Sequence, residues 1–275
     1  MNYGKELELQ IEKSLESYKH KRGFKDIRNR RIFQENYEFF AINFLENFLP
    51  NLKEKKILDL GSGMGGFLVA MSKRGYTIEG LEPNPDYCEI IKLRGKKNNL
   101  DVNITRAKAE EVPFGESYFD LIYCNDVLEH SDDPEKILRE CFRVLKPNGS
   151  MYVTVINRFG LKDTHYHLLF INFLPRKIAE WIIGLIGIQK TDSKKGKQRL
   201  STMHYFTYDQ FSKIAIKAGF KKITDMKKYK INHPNLINLH RKRRFVYFLN
   251  KLGVTQLFYI ITRPFRGAFL LFLEK

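Results

Sequence analysis

A glycine-rich stretch follows the first strongly apolar run of the chain. The residues from Asp59 to Gly66 read DLGSGMGG and lie directly before a helical pattern. Glycines let the chain turn tightly and let backbone N–H groups approach a ligand without an intervening side chain. The stretch therefore indicates a nucleotide-like ligand. The spacing of Gly61, Gly63 and Gly66 also fits a dinucleotide fingerprint, so spacing alone leaves the kind of nucleotide open.

A carboxylate stands at the end of the second apolar run. Glu82 lies 21 positions after Gly61, in the segment IEGLEPN. A carboxylate at this place is suited to accept hydrogen bonds from both hydroxyls of a ribose, and its charge disfavours a 2′-phosphate. The alternative is a solvated surface glutamate, which is disfavoured because Glu82 follows an apolar strand at the expected ligand edge of a sheet.

Short apolar runs alternate with helical stretches from Lys56 onward. Helices are expected from about Gly65, from about Asn84 and over Pro134 to Val144. The predicted strands between them are KILDL, YTIEGLE, DVNITR, FDLIYCN and GSMYVTVI. This alternation predicts an α/β fold with a doubly wound, mostly parallel sheet. Two later apolar stretches, GFKKITDMKKY and GAFLLFLE, predict a closing antiparallel strand pair.

An amphipathic pattern precedes this region. From Gln34 to Leu49 the helical spacing predicts a helix packed beside the main domain. Its apolar face is expected to consist of Tyr37, Ala41, Phe44, Leu45 and Phe48. We assign residues 1–50 to an N-terminal helical extension and residues 51–275 to the main domain. Within the main domain we expect a lid insertion at about 158–206 and a basic helical insertion at about 231–262.

Four stretches resemble the class I S-adenosylmethionine-dependent methyltransferases, in particular the small-molecule branch that includes ubiquinone and menaquinone biosynthesis enzymes. They are ILDLGSGMGG, GLEPN, AKAEEVPF and YFDLIYCNDVLEHSDDPEKILRECFRVLKPNGSMYVTV, and they follow one another over residues 57–155 in the family's order. The resemblance implies a seven-stranded Rossmann-like sheet and S-adenosyl-L-methionine as the cofactor. The segments after the second strand have no counterpart in the dinucleotide pattern, which disfavours an NAD-dependent oxidoreductase.

The resemblance also implies roles for individual residues. Asp59 and the backbone of the glycine stretch would hold the methionine part of the cofactor, Glu82 the ribose, and the backbone carbonyl of Asn125 the methionine amino group. Lys108 departs from the family, which often has an acid there that contacts the adenine, so we expect backbone groups at Ala109 to take that role. The implied cofactor-binding set is Asp59, Gly61, Ser62, Gly63, Gly65, Glu82, Ala109, Glu110 and Asn125.

Three histidines and a tyrosine are candidate catalytic or acceptor-binding groups: His130, His165, Tyr166 and His204. A sulfonium methyl is already activated, so the protein mainly aligns the acceptor and excludes water. A base is needed only where the acceptor loses a proton, and an imidazole titrates near neutral pH. The alternative for His130 is a cap or hydrogen-bond anchor before the helix at Pro134. For the other three it is packing in a loop with a satisfied polar tip.

The net charge of +17 is concentrated late in the chain. Residues 158–275 carry 24 Lys or Arg against 6 Asp or Glu, whereas residues 51–157 carry 15 against 17. An apolar cluster from Trp181 to Ile188 precedes the basic stretch Lys190 to Arg199, and His240 to Leu249 repeats the combination. Such a combination indicates a helix at an anionic membrane surface or a solvated lid over the acceptor. Both alternatives favour a quinone precursor, a polyprenyl-linked sugar or a similar amphiphile as the acceptor, whereas RNA or another nucleic acid is disfavoured because no nucleic-acid-binding module or amino-methylating motif is present.

The cysteines and the N-terminus bear on the cellular compartment. Cys88, Cys124 and Cys141 form no CxxC pair, so neither a disulfide framework nor a metal site is expected. The N-terminus lacks the apolar stretch of a signal peptide. The most apolar window, Leu168 to Ile188, contains charged residues and Pro175, so no spanning helix is expected. We therefore expect a cytoplasmic enzyme that associates at most peripherally with the inner face of the membrane.

Overall fold

The computed structural model describes the chain except at a few short positions. The described residues are 2–19, 23–188, 190–192, 196–237 and 239–275. Lys194 and Lys195 of the predicted basic stretch lie outside them, as do the side chains of Lys190 and Lys197. The chain divides into two compact units. The first comprises Met1–Cys124 and Arg143–Ser150, and the second comprises Asn125–Phe142 and Met151–Lys275.

Seven of the described strands form one mixed sheet. They are β1 (Lys56–Leu60), β2 (Thr77–Leu81), β3 (Asn103–Thr105), β4 (Phe119–Cys124), β5 (Leu145–Ile156), β8 (Lys222–Asp225) and β9 (Ala268–Glu274). Their order is β3-β2-β1-β4-β5-β9-β8, and two short strands, β6 (Lys190–Asp192) and β7 (Gly196–Gln198), pair separately. β1 runs parallel to β2 and β4, whereas β8 and β9 are antiparallel. The predicted mostly parallel seven-stranded sheet with a closing antiparallel pair is confirmed.

Helices connect most of the strands, and three of them precede β1. The described helices are α1 (Tyr3–Ser14), α2 (Phe24–Ile32), α3 (Phe39–Phe48), α4 (Gly66–Lys73), α5 (Pro85–Lys97), α6 (Pro134–Val144), α7 (Arg176–Leu185), α8 (Tyr208–Lys217), α9 (Met226–Asn232), α10 (His240–Lys251) and α11 (Thr255–Thr262). Polar caps set several of their starts. The Asn84 side chain accepts from the backbone of Asp86 before α5, and Thr207 forms a capping box with Gln210 before α8.

The core strands of the first unit are apolar and inaccessible to solvent. Ile57, Leu58 and Leu60 of β1 and Ile122 of β4 have no exposed surface, as expected for parallel strands covered on both faces. The three cysteines of the chain are also buried, and none of them forms a disulfide bond. Burial raises the pKa of the Cys88 thiol and that of Cys141.

A buried arginine holds the N-terminal helices in the first unit. Arg94 of α5 has no exposed surface. Its guanidinium donates to the carbonyl oxygens of Arg31, Ile32 and Met64 and pairs with the carboxylate of Glu35. These bonds join the end of α2 to the start of α4. The stability of the first unit therefore depends on a buried cation whose partners are also shielded from water.

The predicted helix over Gln34 to Leu49 begins later than expected. Gln34–Tyr37 form a single 3-10 turn, and α3 begins at Phe39. Because a 3-10 turn has three residues per turn, it shifts the phase of the apolar face. Tyr37 is consequently exposed, and the buried side of α3 consists of Ile42, Phe44 and Leu45.

The late strand GFKKITDMKKY is also shorter than predicted. β8 ends at Asp225, whose carboxylate accepts the backbone hydrogens of Lys227 and Lys228 and so caps α9. Tyr259 of α11 donates to the same carboxylate over 2.7 Å. The residues MKKY are therefore helical because the aspartate satisfies the first free N–H groups of a helix.

Within the part of the chain that the structure describes, no single helix is long and apolar enough to cross a bilayer. α10 and α11, the latter extended to Phe265, meet the criteria of length and composition only as a pair, and the pair is bent by 118°. The bend lies at Gly253, which has a φ of 69°.

We expect Arg94→Met to lower the free energy of unfolding by about 3–5 kcal/mol, because Glu35 and three carbonyl groups would lose their buried partner. Urea denaturation followed by circular dichroism measures the change. Arg94→Met combined with Glu35→Gln should recover part of the loss. Lys92→Ala, which removes an exposed ion pair with Glu89 on the same helix, is the control and should leave the midpoint unchanged. An Arg94→Met midpoint equal to that of the control would contradict this account.

Candidate active site

The glycine stretch after β1 forms a tight loop anchored on β2. Gly61, Gly63 and Gly65 have φ angles of 74°, 55° and 79°, a region that residues with a side chain rarely adopt. The backbone N–H groups of Gly61 and Ser62 donate to the carbonyl of Leu81. A Cβ atom built on Gly63 would meet nothing within 4 Å, whereas one on Gly65 would approach a side-chain carbon of Ile91 to 2.7 Å. The loop is therefore packed on one side and open at Gly63.

Gly80 allows the loop to lie close to β2. A Cβ atom at Gly80 would approach the Ser62 hydroxyl to 2.7 Å and a Leu68 methyl to 2.8 Å. Ser62 is buried, and its hydroxyl donates to the carbonyl of Asp59 over 2.9 Å. A side chain at Gly80 would therefore displace the loop, and sequence reasoning missed that Gly80 positions it.

Asp59 is a buried carboxylate at the end of β1. Only 4% of its surface is exposed, and its Oδ2 atom has no hydrogen-bond partner among the described residues. Burial raises the pKa of Asp59 to about 7, and the negative charges of Glu38 and Glu82 add to this effect. An unpaired buried carboxylate oxygen is costly unless a ligand satisfies it. The environment of Asp59 therefore favours a ligand with a positive charge or a hydrogen-bond donor.

Glu82 closes the same loop from β2. Its Oε2 atom accepts the backbone hydrogen of Gly63, and its Oε1 atom accepts that of Asn84, each over 2.9 Å. The side chain is 6% exposed. The Cys88 thiol donates to the carbonyl of Glu82 over 3.4 Å. These contacts fix the carboxylate beside the open glycine, and each of its oxygens can accept a further hydrogen bond.

The chemistry of the first unit fits S-adenosylmethionine. The orphaned oxygen of Asp59 suits the positive charge of a methionine amino group or sulfonium. The fixed carboxylate of Glu82 suits a diol, and Gly63 leaves room for close approach. Ala109 is buried and Glu110 half-buried, whereas Lys108 is exposed. The roles expected for Ala109 and Glu110 at an adenine therefore remain predictions.

In the second unit the chain turns sharply after β4. Asp126 has a φ of 56°, an uncommon conformation for a residue with a side chain. Asn125 is exposed, and its side chain accepts from the Thr154 hydroxyl over 2.6 Å and donates to Asp126 over 3.0 Å. The role expected for the Asn125 carbonyl remains a prediction.

Two of the predicted histidines, His130 and His165, meet a glutamate that was not predicted, Glu129, in one cluster of the second unit. The Nε2 atoms of His130 and His165 are 3.3 Å apart, and Glu129 Oε1 lies 3.9 and 4.0 Å from them. Glu129 is 1% exposed, and neither of its carboxylate oxygens has a hydrogen-bond partner among the described residues. Burial, with the charge of Asp126, raises the pKa of Glu129 to about 8. The cluster thus joins a buried carboxyl group to two imidazoles.

A tyrosine and an aspartate orient His165. The Tyr205 hydroxyl donates to Asp163 Oδ2 over 3.0 Å and lies 2.8 Å from His165 Nδ1. Because the hydroxyl has given its hydrogen to Asp163, its oxygen accepts the Nδ1 hydrogen of His165. The neutral ring then carries its lone pair on Nε2, which faces His130. Asp163 is 1% exposed and Tyr205 is 7% exposed, so this arrangement is shielded from water.

The structure places the other two candidate side chains differently. Tyr166 is buried, and burial together with the charge of Asp163 raises its pKa to about 12. His204 stacks on Phe206, with ring centroids 6.4 Å apart, while its backbone N–H donates to the carbonyl of Glu129. A role in catalysis for Tyr166 or His204 remains a prediction. The helix at Pro134 is capped by Asp133, which accepts from Lys136 over 2.9 Å.

The cluster of Glu129, His130 and His165 could also hold a metal ion. One ligand atom from each residue lies within 4.8 Å of the others. Two imidazole nitrogens and one carboxylate oxygen suit divalent transition metals and zinc. Sequence reasoning missed this set because His165 lies 35 positions from His130 and no short metal-binding spacing occurs. The expectation of no metal site stays untested.

Comparison with known proteins identifies the type of domain. Residues 58–153 match the family model described as "Methyltransferase domain". The chain is similar to the ubiquinone biosynthesis O-methyltransferase of Pseudomonas fluorescens, with 36% identity over 39% of this chain and 47% of that protein. It is also similar to the Pseudomonas entomophila enzyme of that name, with 35% identity over 53% of this chain and 59% of that protein. The chain thus spans about half the length of these relatives.

A solved structure shows the same fold. An S-adenosylmethionine-dependent methyltransferase from Mesorhizobium loti superposes with a TM-score of 0.53 at 16% identity, over 86% of this chain and 98% of that one. Residues 58–153 therefore match a methyltransferase domain, and the chain shares its fold with an S-adenosylmethionine-dependent methyltransferase, in agreement with the sequence resemblance.

The raised pKa of Asp59 makes stability depend on pH. An aspartate ionises at about pH 3.9 in the unfolded chain and at about pH 7 in the folded protein without ligand. The contribution of the protonated carboxyl to the free energy of unfolding is fully present below about pH 4 and is lost as the pH rises through 7. We expect Asp59→Asn to remove this loss, on the order of 2–4 kcal/mol at pH 8. Urea titrations of both proteins at pH 4.5, 6 and 8 measure the difference.

The control for this experiment is Asp120→Asn, on the neighbouring strand. Lys146 and the backbone of Lys56 lower the pKa of Asp120, so its removal should destabilise the protein at pH 8. A constant difference between Asp59→Asn and the unaltered protein from pH 4.5 to 8 would show that the Asp59 carboxyl titrates normally.

Proposed function

We propose that the protein transfers a methyl group from S-adenosylmethionine to a hydroxyl group of a small, amphiphilic or lipid-linked acceptor. The observation that carries the proposal is the arrangement of the first unit. The unpaired Asp59 carboxylate oxygen and the fixed Glu82 carboxylate flank an open glycine inside a matched methyltransferase domain. A hydroxyl is proposed because the similar Pseudomonas proteins are named O-methyltransferases.

The cofactor supplies an electrophilic methyl group on a sulfonium. The chain has to bind this cation, align the acceptor oxygen behind the methyl and keep water away. Asp59 contributes a charge that favours the cation, and Glu82 orients the adenosyl part through its ribose. Methyl transfer forms the new oxygen–carbon bond and leaves a neutral thioether, so one proton must leave the acceptor hydroxyl.

We assign removal of that proton to the cluster of Glu129, His130 and His165. The bond from Nδ1 to Tyr205 supports His165 as the base because it directs the lone pair to Nε2. Asp163 and Tyr205 are positioning residues in this proposal, since they act through the imidazole. A second use of the same cluster is to hold a divalent cation, which would bind the acceptor oxygen and favour its ionised form.

The apolar surface of the lid segment supports an amphiphilic acceptor. α7 buries Ala179 and Ile183 on one side, while Ile178, Trp181 and Leu185 on its other sides are 48–67% exposed. Exposed apolar groups of this size on a soluble protein mark a site for an apolar ligand, a membrane or a partner. We therefore propose a quinone precursor, a polyprenyl-linked sugar or a similar amphiphile, taken from a membrane surface.

We expect Glu82→Gln to weaken binding of S-adenosylhomocysteine at least tenfold, because an amide has only one acceptor oxygen for the two ribose hydroxyls. Isothermal titration calorimetry measures the affinity. Glu79→Gln, on the strand that directly precedes Glu82 but paired with Lys56, is the matched control and should bind normally. Equal affinities for both variants would remove the ribose assignment. A rise in the unfolding midpoint with NAD in place of S-adenosylhomocysteine would favour the oxidoreductase alternative.

We expect His165→Asn to lower kcat at least a hundredfold while leaving the affinity for S-adenosylhomocysteine unchanged. Turnover is measured as methyl label transferred from S-adenosylmethionine into a lipid extract. Tyr205→Phe should lower kcat less and shift the pH profile, because the Nδ1 hydrogen loses its nearer acceptor and keeps only the Thr164 hydroxyl, 3.2 Å away. His233→Asn is the control, since this histidine stacks on Tyr229 and lies outside the cluster.

The same assay separates the two roles of the cluster. If a chelator abolishes activity and added Mg²⁺ or Zn²⁺ restores it, the cluster holds a metal. If activity resists chelation, the cluster acts as a base. Full activity of His165→Asn would contradict both roles. Label recovered in nucleic acid in place of the lipid fraction would overturn the proposed acceptor.

A further inference from the structure

The segment between β8 and β9 has an unusual composition. Residues 226–267 contain ten Lys or Arg and no Asp or Glu. The middle of this segment contains α10 and α11, and we call this part the basic hairpin (His240–Thr262). Neither the methyltransferase match at residues 58–153 nor the proposed reaction uses it. A surface with this charge must therefore have another function or be merely solvated.

One side of the basic hairpin is anchored. Val246 of α10 and Tyr259 of α11 form a small buried cluster with Ile231 of α9. The Tyr259 hydroxyl donates to Asp225 at the end of β8, and Gln256 donates to Asn232 over 3.0 Å. The orientation of both helices on the second unit is thereby fixed, and their opposite sides face solvent.

The opposite side is apolar. Five of its side chains have more than half of their surface exposed: Phe248, Leu252, Leu257, Ile260 and Ile261. Phe265, which follows the basic hairpin, is 49% exposed. Within α11, Leu257, Ile260 and Ile261 follow the i, i+3, i+4 spacing that places side chains on one helical face. Phe245 and Phe258 join the two helices by an edge-to-face contact with ring centroids 5.6 Å apart. Both helices therefore contribute to one continuous apolar surface.

Cations border this apolar surface. Arg241, Lys242 and Arg244 are exposed in the first turns of α10, and Lys251 is exposed at its end. Arg244 lies four positions before Phe248, on the same helical face. An apolar surface bordered by cations is complementary to a bilayer, whose acyl chains accept the apolar groups and whose anionic headgroups accept the cations.

Other occupants fit this surface less well. A second copy of the chain would bring two acid-free cationic segments together, and their repulsion would oppose the contact. A nucleic acid would pair with the cations but would leave the aliphatic side chains exposed to water. We propose that the basic hairpin docks the protein on a bilayer that contains anionic lipids. The proposal goes beyond the proposed methyl transfer and does not depend on it.

The geometry favours a hairpin that lies in the surface. α10 and α11 have twelve and eight residues, fewer than the roughly 20 that a spanning helix needs. The 118° bend at Gly253 folds the second helix back toward the first. Both helices therefore reach the interface together, and their cations remain at headgroup depth.

Sedimentation with vesicles tests the docking. The full chain is mixed with vesicles of 30% phosphatidylglycerol in phosphatidylcholine or with vesicles of phosphatidylcholine alone. We expect binding to the anionic vesicles that is at least tenfold stronger. Replacing Arg241, Lys242 and Arg244 together by Gln should weaken it about a hundredfold. Replacing Leu257, Ile260 and Ile261 together by Asn should weaken binding to a similar degree.

The matched control is Ile216→Asn, which removes an equally exposed aliphatic side chain from α8. It should sediment as the unaltered protein does. Each variant is also tested for its unfolding midpoint with and without S-adenosylhomocysteine. A retained midpoint and a retained shift show that the fold and the cofactor site are intact, so failure of docking and failure of the proposed methyl transfer are distinguishable.

Tryptophan fluorescence tests whether the basic hairpin itself contacts the bilayer. Trp181 is the only tryptophan of the chain and lies on α7. In Trp181→Phe combined with Phe248→Trp, the one remaining indole reports on the basic hairpin, and we expect its emission to move to shorter wavelength on anionic vesicles. Unchanged emission with unchanged sedimentation of the hairpin variants would overturn the proposal. The proposal would also be overturned if the protein formed a dimer in the absence of lipid and the Asn substitutions made it monomeric. Binding to RNA but not to vesicles would overturn it as well.

Discussion

The carboxylate of Glu82 holds together the parts of the first unit on which any nucleotide chemistry depends. It accepts the backbone hydrogens of Gly63 in one loop and Asn84 in the next, and both loops follow strands that run in parallel. The pairing of β1 with β2 brings these loops to the same edge of the sheet. Gly80 allows their close approach because it has no side chain. A negative charge thus lies against a loop that is open at one glycine.

Charge burial is the second constraint, and it acts differently at three places. Arg94 is buried with Glu35 and three carbonyl groups, so its charge is compensated and its role is structural. Asp59 and Glu129 are buried with unpaired oxygens, and burial raises the pKa of each. A folded protein tolerates such groups where a ligand, a proton or a metal can satisfy them. The distinction separates a group that holds the fold from groups available for chemistry.

Local patterns predicted the alternation of strands and helices, the glycine loop and Glu82, because each depends on residues that are close in the sequence. The cluster around His165 was only partly predictable. Asp163 and Tyr205 lie 42 positions apart and meet only after the second unit has packed, and Glu129 resembles a surface residue of the LEH turn. The boundary errors have local causes. A 3-10 turn moved the face of α3, and the capping by Asp225 converted the end of a strand into a helix.

Cys88, which is buried next to the glycine loop of the first unit, is protected from chemical modification. The Cys88 thiol donates to the Glu82 carbonyl, and burial raises its pKa, so little thiolate forms at neutral pH. Alkylating reagents and peroxide therefore reach it only when the turn after β2 opens. The rate at which Cys88 is modified would therefore report how often this turn opens. While the turn is closed, oxidants do not reach the thiol beside the glycine loop.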